Sequence, residues 1–326
     1  MQIIIKYIQT GDDNIIIGVP RGLMYYRYHP FIMAFFKELE AQIVFSEKTN
    51  KKILDLGVKY CVDEACLPIK IFHGHVASLK DRCDLIIVPR IMKEKGGEFI
   101  CPKFCGLPEM IDNSIPDLPD ITRQPVFMNQ KKSLDKWVMH LGKSITKSKG
   151  KIMKAYEEAA KVQKSYKTSI DKNYSYKIAL VGHPYCVHDS FFNMNIIKKL
   201  NKMGVGVITE EKNNNEFLQK EIKNLYKKPF WDFTKNSYGF CMDVLKNHGA
   251  EGIIYVSSFG CGIDSVSIEL IKNQVNHFPF LVLKIDEHTG EAGVDTRIEA
   301  FINMLEERRD LLGDNISPFR KHLYTH

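Results

Sequence analysis

Short apolar runs rich in isoleucine and valine recur along the chain, separated by stretches in which apolar residues have helical spacing. Such runs are typical of buried parallel strands in an α/β protein. They fall into two sets, and each set predicts one small parallel sheet. The first set is 15–19, 43–45, 85–88 and 126–128, with helices predicted near 30–39, 66–79 and 107–111. The second set is 176–182, 205–209, 252–257 and 280–285, with helices predicted near 191–203, 240–248, 263–273 and 294–312.

The two halves of the chain also begin alike. Residues 15–22 read Ile-Ile-Ile-Gly-Val-Pro-Arg-Gly, and residues 179–186 read Ala-Leu-Val-Gly-His-Pro-Tyr-Cys. We therefore predict two similar α/β lobes, an N-terminal lobe over 1–130 and a C-terminal lobe over 175–326, joined by a helical connector over 131–174. Loops beyond the carboxyl ends of parallel strands form the functional crevice of such sheets. The cleft between the lobes is accordingly the predicted site.

The net charge of +7 is concentrated in the connector. Twelve lysines and four acidic residues lie between positions 131 and 172. Because apolar residues there have helical spacing, we interpret the lysines as the solvated face of connecting helices. A docking patch for an acidic protein or for an anionic cofactor such as a CoA phosphate is the alternative. No arginine cluster or recognition motif accompanies the lysines, so we expect no nucleic-acid partner.

Composition indicates an ordinary globular protein, with 44% hydrophobic and 26% charged residues among 326. The first residues lack the apolar run and cleavage site of a signal peptide, and no uncharged apolar stretch approaches the roughly 18 residues of a membrane span. We therefore expect a cytoplasmic protein with no membrane role. In that compartment the eight cysteines are better interpreted as thiols or metal ligands than as disulfides.

Four stretches carry candidate chemistry. Cys66 lies in Val-Asp-Glu-Ala-Cys-Leu-Pro-Ile-Lys, Cys101 and Cys105 lie in Cys-Pro-Lys-Phe-Cys-Gly-Leu-Pro, Cys261 lies in Ser-Ser-Phe-Gly-Cys-Gly, and residues 286–297 read Asp-Glu-His-Thr-Gly-Glu-Ala-Gly-Val-Asp-Thr-Arg. Cysteine thiolates hold iron-sulfur clusters. Gly260 and Gly262, on either side of Cys261, would let backbone N–H groups approach a bulky anionic cluster. Spacing alone does not identify the metal, because the chain has no Cys-x2-Cys run of ferredoxin or zinc-ribbon type.

Together with Val-Pro-Arg-Gly-Leu-Met-Tyr-Tyr-Arg-Tyr-His-Pro at 19–30, these motifs resemble the acyl-CoA dehydratase activase-related family. That family is similar to subunits of 2-hydroxyacyl-CoA dehydratases of the 2-hydroxyglutaryl-CoA type and to double-cubane cluster proteins. The resemblance covers about residues 15 to 312. It implies two Rossmann-like lobes, a cluster between them held by three cysteines, and electrons from a separate ATP-hydrolysing activase. Carried over motif by motif, the three ligands are Cys66, Cys101 and Cys261, and Cys105 is either a fourth ligand or a neighbour.

The resemblance also sets expectations for cofactor and activity. A double cubane needs more thiolates than the three or four in the motif loops, so we expect a single 4Fe-4S cluster, with a double-cubane cluster as the alternative. The sequence has no Gly-x4-Gly-Lys-Ser/Thr loop, so ATP is expected to act on the partner. The implied chemistry is that of a lyase or reductase component of anaerobic metabolism, in which one electron converts a thioester carbonyl to a ketyl radical and iron can act as a Lewis acid. An acyl-CoA substrate and a homo- or hetero-oligomer are further expectations.

A different class of function stays open at this point. Cys66, Cys101, Cys105 and Cys261 would also suffice for a non-catalytic protein that binds structural zinc or delivers a cluster. A thiol-disulfide oxidoreductase is disfavoured, because it would need a Cys-x2-Cys motif.

The remaining candidate residues have simpler interpretations. Cys61, Cys83 and Cys241 lie on or beside apolar segments and are expected to be buried, whereas Cys186 lies near the predicted cleft. His73 and His75 are expected to pack or hydrogen bond, with a metal role as the alternative. Lys70, one turn after Cys66, is expected to be exposed, with balance of the cluster charge as the alternative. Glu64, Glu291 and Asp295 are candidates for acid or base chemistry or for capping the helices that follow them.

Overall fold

The computed structural model describes residues 15–94, 96–166, 174, 176–210, 215–223 and 225–313. Its strands are β1 Ile16–Val19, β2 Gln42–Phe45, β3 Leu85–Ile86, β4 Arg90–Lys93, β5 Asp120–Ile121, β6 Pro125–Phe127, β7 Lys177–Val181, β8 Gly206–Ile208, β9 Gly252–Ser258 and β10 Phe280–Ile285. Its helices are α1 Tyr25–Glu38, α2 Lys51–Tyr60, α3 Leu67–Ala77, α4 Pro102–Cys105, α5 Leu107–Ser114, α6 Lys131–Lys143, α7 Lys149–Ser165, α8 Pro184–His188, α9 Ile196–Lys202, α10 Asn215–Lys223, α11 Asp232–Asn247, α12 Gly262–Val275 and α13 Glu291–Gly313.

Two four-stranded parallel sheets form the framework, as the apolar runs predict. The first has the order β2-β1-β3-β5 and the second the order β10-β9-β7-β8. In each sheet the chain starts on an inner strand, adds a neighbour on one side and then crosses to the other. The strand order therefore reverses between β1 and β3 in the first sheet and between β7 and β9 in the second. Beyond the carboxyl ends of the strands, such reversal points are where open α/β sheets bind ligands.

The fourth strand of the first sheet differs from the prediction. The apolar run at 126–128 corresponds to β6, which pairs in parallel with β4 in a separate two-stranded sheet. The fourth place in the first sheet is taken instead by the two-residue strand β5. Assignment of 126–128 to that sheet was wrong because β5 has one exposed and one buried residue, and so shows no apolar run.

The lysine-rich segment forms α6 and α7, whose apolar faces pack against α1 of the first half. Val138 and Ile152 are fully buried there, together with Phe35 of α1. The described lysines of α6 and α7 are exposed, which agrees with the solvated-face interpretation. Residues 167–173 of the predicted connector lie outside the described residues, and the domain boundaries stay a prediction. Within the part of the chain that the structure describes, no helix combines the length and apolar character needed to cross a membrane.

Buried charges join the two halves of the chain. Arg27 of α1 donates to Asp232 at 2.8 Å and to Glu210 at 3.2 Å, and both acceptors belong to the second half. Lys70 of α3 pairs with Glu287, in the loop after β10. One continuous apolar cluster also contains side chains from both halves. The carboxyl ends of the two sheets are thereby held against each other by ion pairs as well as by apolar packing.

Helix α3 is held unusually close to α2 by two glycines. A Cβ atom on Gly57 of α2 would collide with the backbone oxygen of Lys70, and one on Gly74 of α3 would collide with that of Ile53. Every residue of α3 is buried. The first turn of α3, where Cys66 lies, is therefore fixed by backbone-to-backbone packing.

Candidate metal centre

The three predicted cysteine ligands occupy the same local position, the residue immediately before a helix. Cys66 precedes α3, Cys101 precedes α4 and Cys261 precedes α12. Proline in the first turn starts α3 and α4 with its fixed φ, and Gly262 is the first residue of α12. The first backbone N–H groups of a helix have no partner within the helix, and the helix dipole there favours negative charge. The starts of α3 and α12 therefore present the positive ends of two helix dipoles to this region.

The structure brings these three thiols into one partly buried region. Burial raises the pKa of the Cys261 thiol to about 12, and Asp264, Cys66 and Cys101 shift it in the same direction. The pKa of the Cys101 thiol is raised chiefly by burial, with contributions from Cys66 and Cys105. Tyr185 is buried beside them, and all three thiols add to the increase in its pKa after burial and Cys186. Charges influence one another in this way only at short range, so three thiolates here would repel each other unless a cation bound them.

Cys105, Gly260 and Gly262 do not share the position of the three candidate ligands, which each lie immediately before a helix. Cys105 is the last residue of α4, and its pKa is raised by partial burial and lowered by Arg90. Gly260 has φ of +74°, a conformation that side-chain-bearing residues rarely adopt. Cβ atoms on Gly260 and Gly262 would meet nothing within 4 Å. Space therefore remains on both sides of Cys261, although the assignment of these residues to a cofactor stays a prediction.

A histidine and an aspartate that the sequence analysis did not single out complete the region. The ligand atoms of His183, Cys261 and Asp264 all lie within 4.8 Å of one another. His183 Nε2 is 3.0 Å from Asp264 Oδ1, and the hydroxyl of Tyr185 lies 2.6 Å from Nδ1. The ring of His183 stacks on Phe233 with centroids 3.9 Å apart. Nε2 of His183 therefore lies beside Asp264 and Nδ1 beside Tyr185, and stacking on Phe233 fixes the plane of the imidazole ring.

Asp264 is a buried carboxylate with a full set of partners. Tyr255 donates to Oδ1 at 2.7 Å and Ser257 donates to Oδ2 at 2.8 Å. Burial opposes its charge, but His183 and these hydrogen bonds outweigh burial and lower the pKa of Asp264. The carboxylate therefore stays ionised beside Cys261, one helical turn away in α12.

The sequence held a signal for both residues. His183 follows the first strand of the second sheet and occupies, in the repeated opening motif, the place that Val19 has in the first half. Asp264 comes three residues after Cys261, the spacing at which a side chain in the first turn lies beside the residue before the helix. His183 follows β7 and Cys261 follows β9, so the site lies at the strand-order reversal of the second sheet.

The remaining cysteines differ in how deeply they are buried. Cys61 and Cys241 are buried as expected, whereas Cys83 is half-buried and donates to the Leu79 oxygen at 3.2 Å. Cys186 is buried in α8, and its pKa is raised first by burial and then by Asp264 and Cys261. Cys186 therefore lies close to the three thiols and is itself buried.

Several predicted polar residues have structural partners. His73 and His75 are fully buried, and His75 Nε2 lies 3.1 Å from the Thr49 hydroxyl. The expectation that Lys70 is exposed was wrong, since its side chain is 4% exposed and paired with Glu287. Glu291 and Asp295 both contact Lys199, and Glu64 is exposed.

Comparisons with known families agree with this architecture. Residues 16–212 match the family described as CoA enzyme activase uncharacterised domain, and residues 133–305 match the family described as 2-hydroxyglutaryl-CoA dehydratase, D-component. The chain belongs to these activase-related, D-component proteins. Each match covers more than half of the chain, and the two overlap between 133 and 212. The family resemblance inferred from the cysteine motifs is thereby confirmed.

Other comparisons add little to the D-component assignment. No curated protein matches the chain significantly. Among solved structures, the lac repressor dimer bound to operator and the anti-inducer ONPF matches over 85% of this chain and 93% of its own, at 11% identity. Its TM-score of 0.25 is too low to carry an argument about fold or function.

Proposed function

We propose that this D-component protein binds a 4Fe-4S cluster through Cys66, Cys101 and Cys261, and receives low-potential electrons from a separate ATP-dependent activase. The proposal is supported by three thiols from distant parts of the sequence, each placed just before a helix and each contributing to the pKa of the neighbouring Tyr185. An acyl-CoA thioester is the proposed substrate class, and a dehydratase or reductase component in the cytoplasm, assembled as a homo- or hetero-oligomer, is the proposed role.

The residues at the site fit an anionic cluster. Two helices of more than ten residues, α3 and α12, begin there, and the dipole at the start of a helix favours negative charge. Burial raises the pKa values of the Cys101 and Cys261 thiols, so a bound cluster would have to displace their protons. When bound, the cluster would supply one-electron transfer and an iron able to act as a Lewis acid.

Side chains of this protein fix the positions of the thiols and shield the site from water. Phe104, Tyr185 and Phe233 pack against one another beside the thiols, with ring centroids 5.9–6.4 Å apart. All three are buried, so they keep water from one side of the site. The Lys70–Glu287 pair ties the helix that follows Cys66 to the second half, where Cys261 lies. Cys105 is the candidate fourth thiol or a neighbour of the cluster.

Anaerobic purification tests the cofactor directly. Full-length protein, reconstituted with iron and sulfide, is expected to be brown, with broad absorption near 400 nm, about four iron and four sulfide per chain, and an EPR signal on reduction. A colourless protein that retains stoichiometric zinc after the same treatment would contradict the proposal.

Electron delivery is tested separately. The reconstituted protein, mixed with a purified activase of this enzyme class, a low-potential reductant and ATP, is expected to show cluster reduction that depends on both ATP and activase. Reduction that accompanies ATP hydrolysis in the absence of any activase would contradict the proposed partner.

A mononuclear metal site is the second candidate, because the ligand atoms of His183, Cys261 and Asp264 are already within 4.8 Å of one another. Imidazole, thiolate and carboxylate together suit Zn²⁺. The two candidates predict opposite mutational patterns. Cys101→Ser should abolish a cluster and leave zinc bound, whereas His183→Gln should abolish zinc binding and leave most of the iron.

A further inference from the structure

The first sheet has a cavity at its own strand-order reversal, in the place that the thiol site has in the second sheet. Val19, the last residue of β1, and Pro20 line it from one side, and Ile87 and Pro89, just after β3, line it from the other. The repeated opening motif aligns Val19 with His183 and Gly22 with Cys186. Gly22 also lines the cavity. Equivalent positions are thus polar and thiol-bearing in the second half and apolar in the first.

The cavity has a volume of about 130 Å³ and an almost wholly apolar lining. Aromatic rings from the flanking helices dominate it, among them Phe31 and Phe35 of α1, Trp137 of α6 and Tyr156 of α7. Protein interiors rarely keep a void larger than a water molecule. An engineered apolar cavity of about 150 Å³ stays dry and binds benzene or xenon, so this volume suits a single six-membered ring.

Two polar side chains that line the cavity, those of Tyr28 and Gln163, are already engaged by the protein. The Tyr28 hydroxyl donates to Glu94 at 2.5 Å. The amide of Gln163 accepts from the Phe31 N–H at 3.2 Å and donates to the Arg27 oxygen at 3.0 Å. A charged or strongly polar ligand that bound through Tyr28 or Gln163 would have to break these hydrogen bonds, whereas an uncharged ring would leave them intact.

The cavity also has a route to solvent. Ala160 of α7 lines it and is exposed, and Phe31, Trp137 and Tyr156 are half-buried. The opening therefore lies between α1 and α7, on the side of the first half covered by the lysine-rich helices.

We propose that this cavity is a binding site for a small uncharged aromatic ring, separate from the thiol site and independent of any metal there. Edge and face contacts with the surrounding aromatic side chains favour a flat ring over a branched aliphatic group of equal volume.

Trp137 supplies a direct readout. The chain has two tryptophans, so Trp231→Phe leaves Trp137 as the only indole. Bromobenzene, a heavy-atom quencher, is expected to quench its emission saturably in the full-length apoprotein. Quenching that rises linearly without saturation would overturn the proposal, because collision in solution would then explain it.

Two further variants locate the ligand. Adding Ala160→Phe to Trp231→Phe fills the opening and is expected to weaken bromobenzene binding at least about tenfold. Glu157→Leu is the matched control, since Glu157 is exposed on the same helix and does not line the cavity. Unchanged affinity in the Ala160→Phe protein would place the ligand elsewhere and refute the site.

Competition tests the preference for a ring. Benzene is expected to displace bromobenzene at a lower concentration than 2,2-dimethylbutane, a branched alkane with the same number of carbon atoms. Tighter binding of 2,2-dimethylbutane would overturn the assignment of an aromatic ligand.

Discussion

Removing the charge of Glu287 is expected to destabilise the protein strongly, because it leaves Lys70 ionised and buried. The Lys70 side chain is 4% exposed and that of Glu287 is 20% exposed. Breaking a buried pair by removing one partner costs about 3–5 kcal/mol. Because Glu287 keeps some contact with water, we expect Glu287→Gln to cost about 3 kcal/mol. Lys70→Met removes the buried charge itself and is expected to cost only about 1 kcal/mol.

A double-mutant cycle measured by urea unfolding of the apoprotein tests this reasoning. The Lys70→Met/Glu287→Gln protein should be about 2 kcal/mol more stable than the sum of the single effects predicts. Burial opposes the charge of Glu287, but Lys70 outweighs burial and lowers the pKa of Glu287. The Lys70–Glu287 pair therefore stabilises the fold fully above the ordinary glutamate pKa, and this stabilisation is lost as pH falls through the lowered pKa of Glu287 in the folded protein. Additivity within about 0.5 kcal/mol at neutral pH would refute the pairing.

Two further predictions concern the packing around α3. Gly74→Ala should lower the free energy of unfolding, measured with urea, by about 3 kcal/mol, because its Cβ would collide with the Ile53 backbone oxygen. The control Gly150→Ala has open space in the first turn of α7 and should raise the free energy of unfolding by up to about 1 kcal/mol. Equal effects would contradict the close approach of α2 and α3. Burial lowers the pKa of His75 to about 3, so its neutral form stabilises the fold fully above pH 6.5 and this stabilisation is lost as pH falls towards 3. Below pH 6.5 the free energy of unfolding of the apoprotein should therefore fall by about 1.4 kcal/mol per pH unit more than that of His75→Gln, and parallel pH profiles would contradict this.

Much of the fold was predictable because buried parallel strands have a simple sequence pattern. Seven of the eight predicted strands lie in the expected sheets, and the eighth, at 126–128, forms a different pair. Strand β5 was missed because two residues cannot show periodicity. The start of α1 at Tyr25 was placed too late, because Pro30 reads as a helix start although it is buried inside the helix.

The site was predictable only where residue type indicates chemistry. The cysteines could be identified from their Gly- and Pro-rich motifs. Asp264 is indicated only by its helical spacing from Cys261, and His183 comes near Cys261 through the strand order of the second sheet. Burial of Lys70 could not be foreseen, because it depends on Glu287, which is 217 residues away in sequence. The apolar cavity likewise depends on how α1, α6 and α7 pack together.

The central claim concerns Cys261, and comparison with Cys241 tests it most directly. Cys241 is fully buried in α11 and belongs to a separate apolar cluster, so Cys241→Ala should cost about 1 kcal/mol and leave the bound iron unchanged. Cys261→Ala should leave a cooperatively folded protein with far less iron and sulfide after anaerobic reconstitution. Measured iron per chain is therefore expected to match wild type in Cys241→Ala and to fall sharply in Cys261→Ala. Equal iron content in the two variants would show that Cys261 is not a ligand.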